Sequence, residues 1–109
     1  MADDYHRLLE LVRGVFPTIP PDIEVTLEGI PQLFTREKLV AMKAAGFNRI
    51  SMGVQQLDDE MIKLSGRKQK AKHAFQTLEW CHELGLRSSV DLIFGWPRQT
   101  IEQMLKDLD

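Results

Sequence analysis

Leu39-Val-Ala-Met-Lys-Ala-Ala-Gly-Phe-Asn-Arg-Ile-Ser-Met-Gly-Val-Gln55 decides the fold, because it joins a helix pattern directly to a strand pattern. Its first half has apolar residues at helical spacing and then Gly46, a residue typical of a helix C-terminus. Its second half, from Arg49 to Gln55, alternates apolar residues with small or polar ones, which predicts a strand with two different faces. The stretch therefore predicts a helix followed by a strand.

Similar signals lie on both sides of this unit. Further strands are predicted from Ile23 to Glu28 and from Ser88 to Phe94. Helices are predicted over residues 4–16, after the N-cap Thr35, after Asp58, over residues 72–84 and after Thr100. In the helix over residues 72–84, the apolar residues expected to face inward are Ala74, Phe75, Leu78, Cys81 and Leu84. The order α-β-α-β-α-α-β-α predicts an α/β fold with three parallel strands and crossover helices. We expect residues 1–109 to form a single domain.

Polar side chains occur at or near the C-terminal end of every predicted strand. They are Glu28, Gln55 and Asp91. One interpretation is a sheet with helices on one side and water on the other. The second is part of a βα barrel whose polar interior holds a ligand at that end of the strands, where such barrels build their active sites. The position of the three residues favours the second interpretation.

The size and charge of the chain narrow the choice of function. A complete (βα)8 barrel needs roughly 250 residues. A chain of 109 residues therefore predicts a segment of a barrel with two open sheet edges. Two copies of the chain could associate through these edges. The net charge of −2 gives no reason to expect nucleic acid as a partner. No run of residues is apolar enough to cross a membrane, and no secretory signal is recognisable. The single cysteine, Cys81, excludes an intrachain disulfide and a multi-cysteine metal site within the chain, so we expect a reducing, cytoplasmic compartment.

Four ordered motifs carry a resemblance to a known family. They are Ile23-Glu-Val-Thr-Leu-Glu-Gly-Ile-Pro31, the stretch 39–55, Gly66-Arg67 and Asp91-Leu-Ile-Phe-Gly-Trp-Pro-Arg-Gln-Thr100. Together they resemble the middle of a radical S-adenosylmethionine (SAM) protein of the oxygen-independent coproporphyrinogen III oxidase family, which includes haem-chaperone and haem-utilisation branches. The resemblance implies that the chain supplies about the third to fifth strands of a partial (βα)6 TIM-like barrel.

The resemblance also implies roles for particular residues. Glu28, Gln55 and Asp91 match family residues that lie beside SAM, and Arg67 matches an arginine that contacts the SAM carboxylate or a second ligand. Carboxylates and an amide are suited to ribose hydroxyls and an ammonium group, and a guanidinium is suited to a carboxylate. From the residues themselves, Trp96 is the better candidate of the two tryptophans for a ligand contact, since it lies in a loop after a strand.

The family's Cys-x3-Cys-x2-Cys motif, which holds its 4Fe-4S cluster, does not occur in the chain, so no catalytic or metal-binding residue is expected here. The resemblance implies a parent enzyme that generates a radical from SAM and acts on a tetrapyrrole. Two alternatives stay open: a protein that binds and delivers haem, and a folded segment without a ligand. Ile30, Gln56-Leu57 and Trp96 depart from the family pattern and favour a haem-utilisation or other divergent branch.

Overall fold

The strand Arg49–Gln55, which we call β2, is the centre of a three-stranded sheet. Strand β1 (Thr26–Gly29) pairs with one edge of β2 and strand β3 (Arg87–Leu92) with the other, and both pairings are parallel. The computed structural model describes residues 2–55, 57–64 and 71–108. The predicted α/β class and the predicted parallel pairing are confirmed.

Helices precede and follow each strand, in the predicted order. They are α1 (Ala2–Val15), α2 (Arg36–Ala45), α3 (Asp59–Leu64), α4 (Ala71–Glu83) and α5 (Ile101–Leu108), and a 3-10 turn covers Pro31–Leu33. The core lies between α2, α4 and the apolar face of the sheet. Its fully buried side chains include Leu39, Met42, Ile50, Met52 and Val54. Residues 39–55 therefore supply the centre of the core.

Local signals fix both ends of α2. The Thr35 hydroxyl accepts a hydrogen bond from the backbone N–H of Lys38 at 3.2 Å, which caps the first turn. Gly46 ends the helix with φ of 118°, a left-handed conformation that a glycine adopts without strain. These two caps set the direction in which the chain enters β2.

The predicted strand from Ile23 to Glu28 is shorter in the structure, because a side chain replaces part of its ladder. The Asn48 side chain accepts a hydrogen bond from the Val25 N–H at 2.9 Å and donates one to the Ile23 carbonyl at 2.8 Å. These bonds hold residues 23–25 beside β2, and regular pairing begins only at Thr26. The strand β3 likewise ends at Leu92, two residues before the predicted Phe94.

The apolar face of α4 is narrower than the sequence suggested. Ala74 and Cys81 are buried as predicted, but Phe75 is 57% exposed. Residues 71, 74, 77 and 81 form the buried row at helical spacing, and Phe75 lies one position beside it. The prediction that Phe75 points inward is therefore wrong.

Candidate functional site

The lower half of the polar sheet face, towards the N-terminal ends of the strands, is closed by a network around Arg49. Its guanidinium donates to the Glu24 carboxylate at 3.1 Å and to the Ser89 hydroxyl at 2.8 Å. Ser89 in turn donates to the Ser51 hydroxyl at 3.2 Å. A hydrogen bond from Thr26, assisted by the charges of Arg49 and Arg87, lowers the pKa of Glu24. These polar groups satisfy one another, which leaves the other end of the face for a ligand.

The upper half of the face carries two of the predicted site residues. Glu28 pairs with Ser51 of β2, and Gly53, two residues further along β2 on the same face, pairs with Asp91. Glu28 and Asp91 therefore lie on the same face, on strands two spacings or roughly 10 Å apart. Both side chains are exposed, and neither makes a hydrogen bond or ion pair with another residue of the described ranges.

Gln55 completes this group through an unusual backbone conformation. Its φ is +73°, and the register of β2 against β3 shifts between Gly53 and Gln55. A Cβ atom added at Gly53 would lie 3.2 Å from the side-chain nitrogen of Gln55. The amide therefore lies over Gly53, between the strands that carry Glu28 and Asp91. The structure brings these three predicted residues to one place, and we call them, with Gly53, the strand-end site.

Arg67, the fourth predicted site residue, lies outside the described residues. Trp96 lies in the loop between β3 and α5, which side chains hold in a defined shape. The Gln99 side chain accepts from the backbone N–H groups of Gly95 and Trp96 at 2.7 and 3.1 Å. The indole N–H of Trp96 donates to the Ile93 carbonyl at 3.1 Å. Trp96 is half-buried and lines a hollow of about 220 Å³ with Met61, Pro97 and Arg98.

A larger hollow, of about 650 Å³, lies between α1 and β1. Its lining is mainly apolar and includes Leu8, Val12 and Ile23. It reaches the edge of β1 that has no partner strand in the described part of the chain, and Glu28 and Asp91 do not line it. Of the polar side chains that line it, Glu24, Thr26 and Asn48 already hydrogen-bond within the protein, so the strand-end site is the better candidate for a polar ligand.

The strand-end site can hold a ligand rich in donors. Two carboxylates and an amide oxygen accept hydrogen bonds from hydroxyl or ammonium groups, and the two negative charges favour a cationic ligand. Within the described residues, no three His, Cys, Asp or Glu side chains are arranged to hold a metal ion. Cys81 is fully buried, and burial raises the pKa of its thiol, as expected for an unreactive core cysteine.

Two contributions to this region were not foreseen from the sequence. Gly53 leaves the space that the Gln55 amide takes up, and a glycine inside a strand is a signal of such a close approach. Asp107 of α5 is buried beside the turn that follows Gln55. No pattern in the sequence distinguishes Asp107 from the other charged residues of its helix.

No helix among the described residues has the length and apolar run needed to cross a bilayer.

Comparisons with known proteins identify the family of the chain. The model of the radical SAM superfamily matches residues 1–109. The mitochondrial radical S-adenosyl methionine domain-containing protein 1 of Bos taurus is 44% identical over 91 residues, which are 83% of this chain and 21% of that protein. The heme chaperone HemW of Bacillus subtilis is 34% identical over 99 residues, which are 90% of this chain and 26% of that protein.

Among solved structures, the coproporphyrinogen III oxidase of Escherichia coli, described as a radical SAM enzyme, superposes with a TM-score of 0.87. It is 34% identical, and the match covers 99% of this chain and 25% of that chain. The chain thus spans between about a fifth and about a quarter of the length of these proteins. The match with the superfamily model and the structural match confirm the resemblance seen in the motifs: the chain belongs to the radical SAM superfamily.

Proposed function

We propose that this chain forms the SAM-binding wall of a longer radical SAM enzyme. The observation that carries the proposal is the grouping of Glu28, Gln55 and Asp91 on one face of the sheet, at the C-terminal ends of parallel strands. That end of the strands is where βα barrels bind their ligands. Membership of the superfamily supports SAM as the ligand.

The chemistry of the residues fits SAM. The molecule carries a sulfonium and an ammonium group against one carboxylate, so a site with two carboxylates complements its net positive charge. The ribose hydroxyls and the ammonium group can donate to Glu28, Asp91 and the Gln55 amide oxygen. From the motif resemblance we assign Arg67 to the SAM carboxylate, which a guanidinium can bind through two parallel hydrogen bonds.

The iron–sulfur cluster does not fit this chain. Such a cluster needs several thiolate ligands, and the chain has a single cysteine, which lies in the core. We therefore place the cluster on cysteines elsewhere in the longer protein and expect the 109 residues alone not to cleave SAM. With the cluster in place, a reduced cluster and SAM supply hydrogen-abstraction chemistry. The residues described here bind and orient SAM and shield it from water.

For the substrate we propose a tetrapyrrole. The proposal rests on the similarity to coproporphyrinogen III oxidases and on the loop that carries Trp96. Trp96 and Arg98 line the same hollow, so a flat aromatic surface and a guanidinium are available together. An indole can stack on a planar macrocycle, and a guanidinium can bind a carboxylate substituent.

Substitution of the two carboxylates tests the SAM site. In the full-length protein, Glu28→Gln and Asp91→Asn keep the size of each side chain but remove its charge. Since a hydrogen bond to a charged group contributes about 1.5–3 kcal/mol, each change is expected to weaken SAM binding about 10- to 100-fold. Calorimetric titration with SAM measures this effect, and Glu79→Gln on the exposed surface of α4 serves as the control. Wild-type affinity in both site variants would refute the site.

A second candidate function, haem binding and delivery, is supported by the similarity to heme chaperone HemW of Bacillus subtilis. Its identity of 34% is close to the 36% of the Helicobacter pylori oxidase, so identity does not separate the two functions. Anaerobic incubation of the full-length protein with SAM, a reductant and a tetrapyrrole separates the two functions. An oxidase converts the tetrapyrrole and releases 5′-deoxyadenosine in step with that conversion. A delivery protein leaves the macrocycle unchanged and transfers it to an acceptor protein.

A further inference from the structure

The helix α5 exposes apolar side chains and buries a charged one, which is the reverse of the usual arrangement. Its apolar residues Ile101, Leu105 and Leu108 are each more than half exposed. Asp107, by contrast, is 8% exposed and is the one residue of this fully described helix that is classed as buried. Since an aspartate is almost never buried unless it is paired, the position of Asp107 requires an explanation.

The contact that Asp107 makes is to the turn after the strand-end site. Its carboxylate accepts a hydrogen bond from the backbone N–H of Leu57, two residues beyond Gln55. The next residue, Asp58, caps α3 by accepting from the N–H groups of Glu60 at 2.9 Å and Met61 at 3.3 Å. Asp58 is therefore held by the backbone N–H groups of α3, and Leu57 is held by Asp107 of α5.

Burying the Asp107 carboxylate costs free energy, which argues that this contact has a role other than stabilising the fold. The second carboxylate oxygen of Asp107 is buried without a hydrogen-bond partner. Desolvation, together with the like charge of Asp58, raises the pKa of Asp107, while the Leu57 hydrogen bond and Lys106 oppose that rise. An apolar residue would avoid the cost of burying a charge, but it could not accept the hydrogen bond from Leu57.

We propose that Asp107 is a positioning residue for the strand-end site, and that it acts by holding the Leu57 N–H and with it the backbone conformation of Gln55. The positive φ of Gln55 is a conformation that non-glycine residues adopt only where their surroundings impose it. A carboxylate anchored from α5 is such a constraint. The inference rests on the proposed function, because its consequence is the correct placement of the Gln55 amide for SAM.

The experiment compares three variants of the full-length protein. Asp107→Ala removes the acceptor, Asp107→Asn keeps an acceptor oxygen but removes the charge, and Glu102→Ala removes an exposed carboxylate of the same helix. Amide hydrogen exchange at Leu57 reports the hydrogen bond itself, with Met52 in the buried part of β2 as the internal reference. Calorimetry reports SAM affinity. Should Asp107→Ala fail to fold, Asp107→Leu replaces it, because leucine fills the space and also lacks the acceptor.

We expect Asp107→Ala to speed exchange at Leu57 with Met52 unchanged, and to weaken SAM binding about tenfold, which corresponds to about 1.4 kcal/mol. Asp107→Asn and Glu102→Ala should bind SAM as the wild type does. In a Gln55→Ala background, Asp107→Ala should have no further effect on SAM affinity, because the two residues act through one contact.

Unchanged exchange at Leu57 in Asp107→Ala would overturn the proposal. Wild-type SAM affinity in Asp107→Ala, failure of Asp107→Asn to restore affinity, or effects of Asp107 and Gln55 that simply add, would overturn it as well. Failure of the proposed function has a different signature. In that case Gln55→Ala alone leaves SAM affinity unchanged, and exchange at Leu57 still decides whether Asp107 holds the turn.

Discussion

At Gly53 the polar face of the sheet has no side chain, and the Gln55 amide lies over the space that the missing side chain leaves. Glu28 and Asp91 flank this point from the neighbouring strands. Each of the three polar residues depends on a different feature of the backbone. The alternation of the strands directs the two carboxylates, whereas a positive φ directs the amide. The strand-end site therefore depends on the backbone around Gly53 as much as on its polar side chains.

The space at Gly53 is the subject of a first prediction. In Gly53→Ala the new Cβ would lie 3.2 Å from the Gln55 side-chain nitrogen, the mobile end of a flexible side chain. We expect the protein to keep its fold, since the amide can move aside, but to bind SAM several-fold more weakly. Thermal unfolding and SAM titration measure the two effects. Gly14→Ala, where nothing lies within 4 Å, is the control and should bind SAM normally. Full affinity in Gly53→Ala would contradict the placement of Gln55.

The Arg49 network at the lower end of the same face gives a prediction about pH. The pKa of Glu24 is lowered from its usual 4.5, so its contribution to stability is present above that value and is lost as pH falls through the lowered pKa. Glu24→Gln should therefore reduce the midpoint of urea unfolding near neutral pH and have little effect well below pH 4.5. Glu79→Gln, outside the network, is the control. An equal difference between wild type and Glu24→Gln at both pH values would contradict this assignment.

Among the elements, the turn from β1 to α2 is tightly packed around Gly29. The Phe34 ring packs against the side of Gly29 that faces away from the strand-end site. An added Cβ at Gly29 would lie 2.8 Å from the ring, which is 5% exposed and has no free space to move into. Because Gly29 follows Glu28 directly, this packing also fixes the end of β1 from which Glu28 projects.

Overpacking at this turn is a further prediction. Gly29→Ala should destabilise the protein by about 1–3 kcal/mol, because the buried ring and the new methyl group compete for the same space. The free energy of unfolding from urea titration measures the loss. In the double variant Gly29→Ala/Phe34→Leu the smaller side chain makes room, so the two losses should not add. Strict additivity of the two changes would show that the ring and residue 29 do not compete.

Individual residues explain how far the elements could be predicted from sequence. The bounds of β2 were predicted correctly, because Ile50, Met52 and Val54 alternate with small and polar residues throughout. The start of β1 was not, because the Asn48 side chain takes over hydrogen bonds that a strand would make. Such side-chain to backbone bonds depend on contacts across the fold, and local patterns do not record them.

Some residues of the candidate site could likewise be predicted from the sequence, and others could not. The positions of Glu28 and Asp91 follow from the alternation of their strands and could be predicted. The backbone of Gln55 could not, since glutamine gives no signal for a positive φ. The role proposed for Asp107 depends on its contact with Leu57 across the fold, which no spacing in the sequence encodes.

As a whole, the described part of the chain is more extended than a closed domain. Its radius of gyration is 16.2 Å, whereas a compact domain of this length has a value of roughly 13 Å. The sheet has three strands, and β1 and β3 each have one edge without a partner in the described ranges. Large apolar side chains of α1 and α5 are exposed, among them Leu11, Val15, Ile101 and Leu108. These features agree with a segment of a larger barrel.

This shape predicts how the 109 residues behave by themselves. Open strand edges and exposed apolar helix faces favour pairing between copies, so we expect the separate chain to self-associate as its concentration rises. Sedimentation velocity over a concentration series measures the association. Leu11→Lys with Val15→Lys should weaken it, and Arg7→Lys on the same helix is the control, since it leaves the charge unchanged. A chain that stays monomeric at every concentration would contradict the prediction.

The most direct measurement of the central claim is a crystal structure of the full-length protein, grown without oxygen and with SAM bound. The account predicts SAM at the C-terminal ends of the strands, with Glu28, Gln55 and Asp91 within hydrogen-bond distance, about 3 Å, of its hydroxyl or ammonium groups. SAM bound in the hollow between α1 and β1, or at any place out of reach of these three side chains, would contradict it.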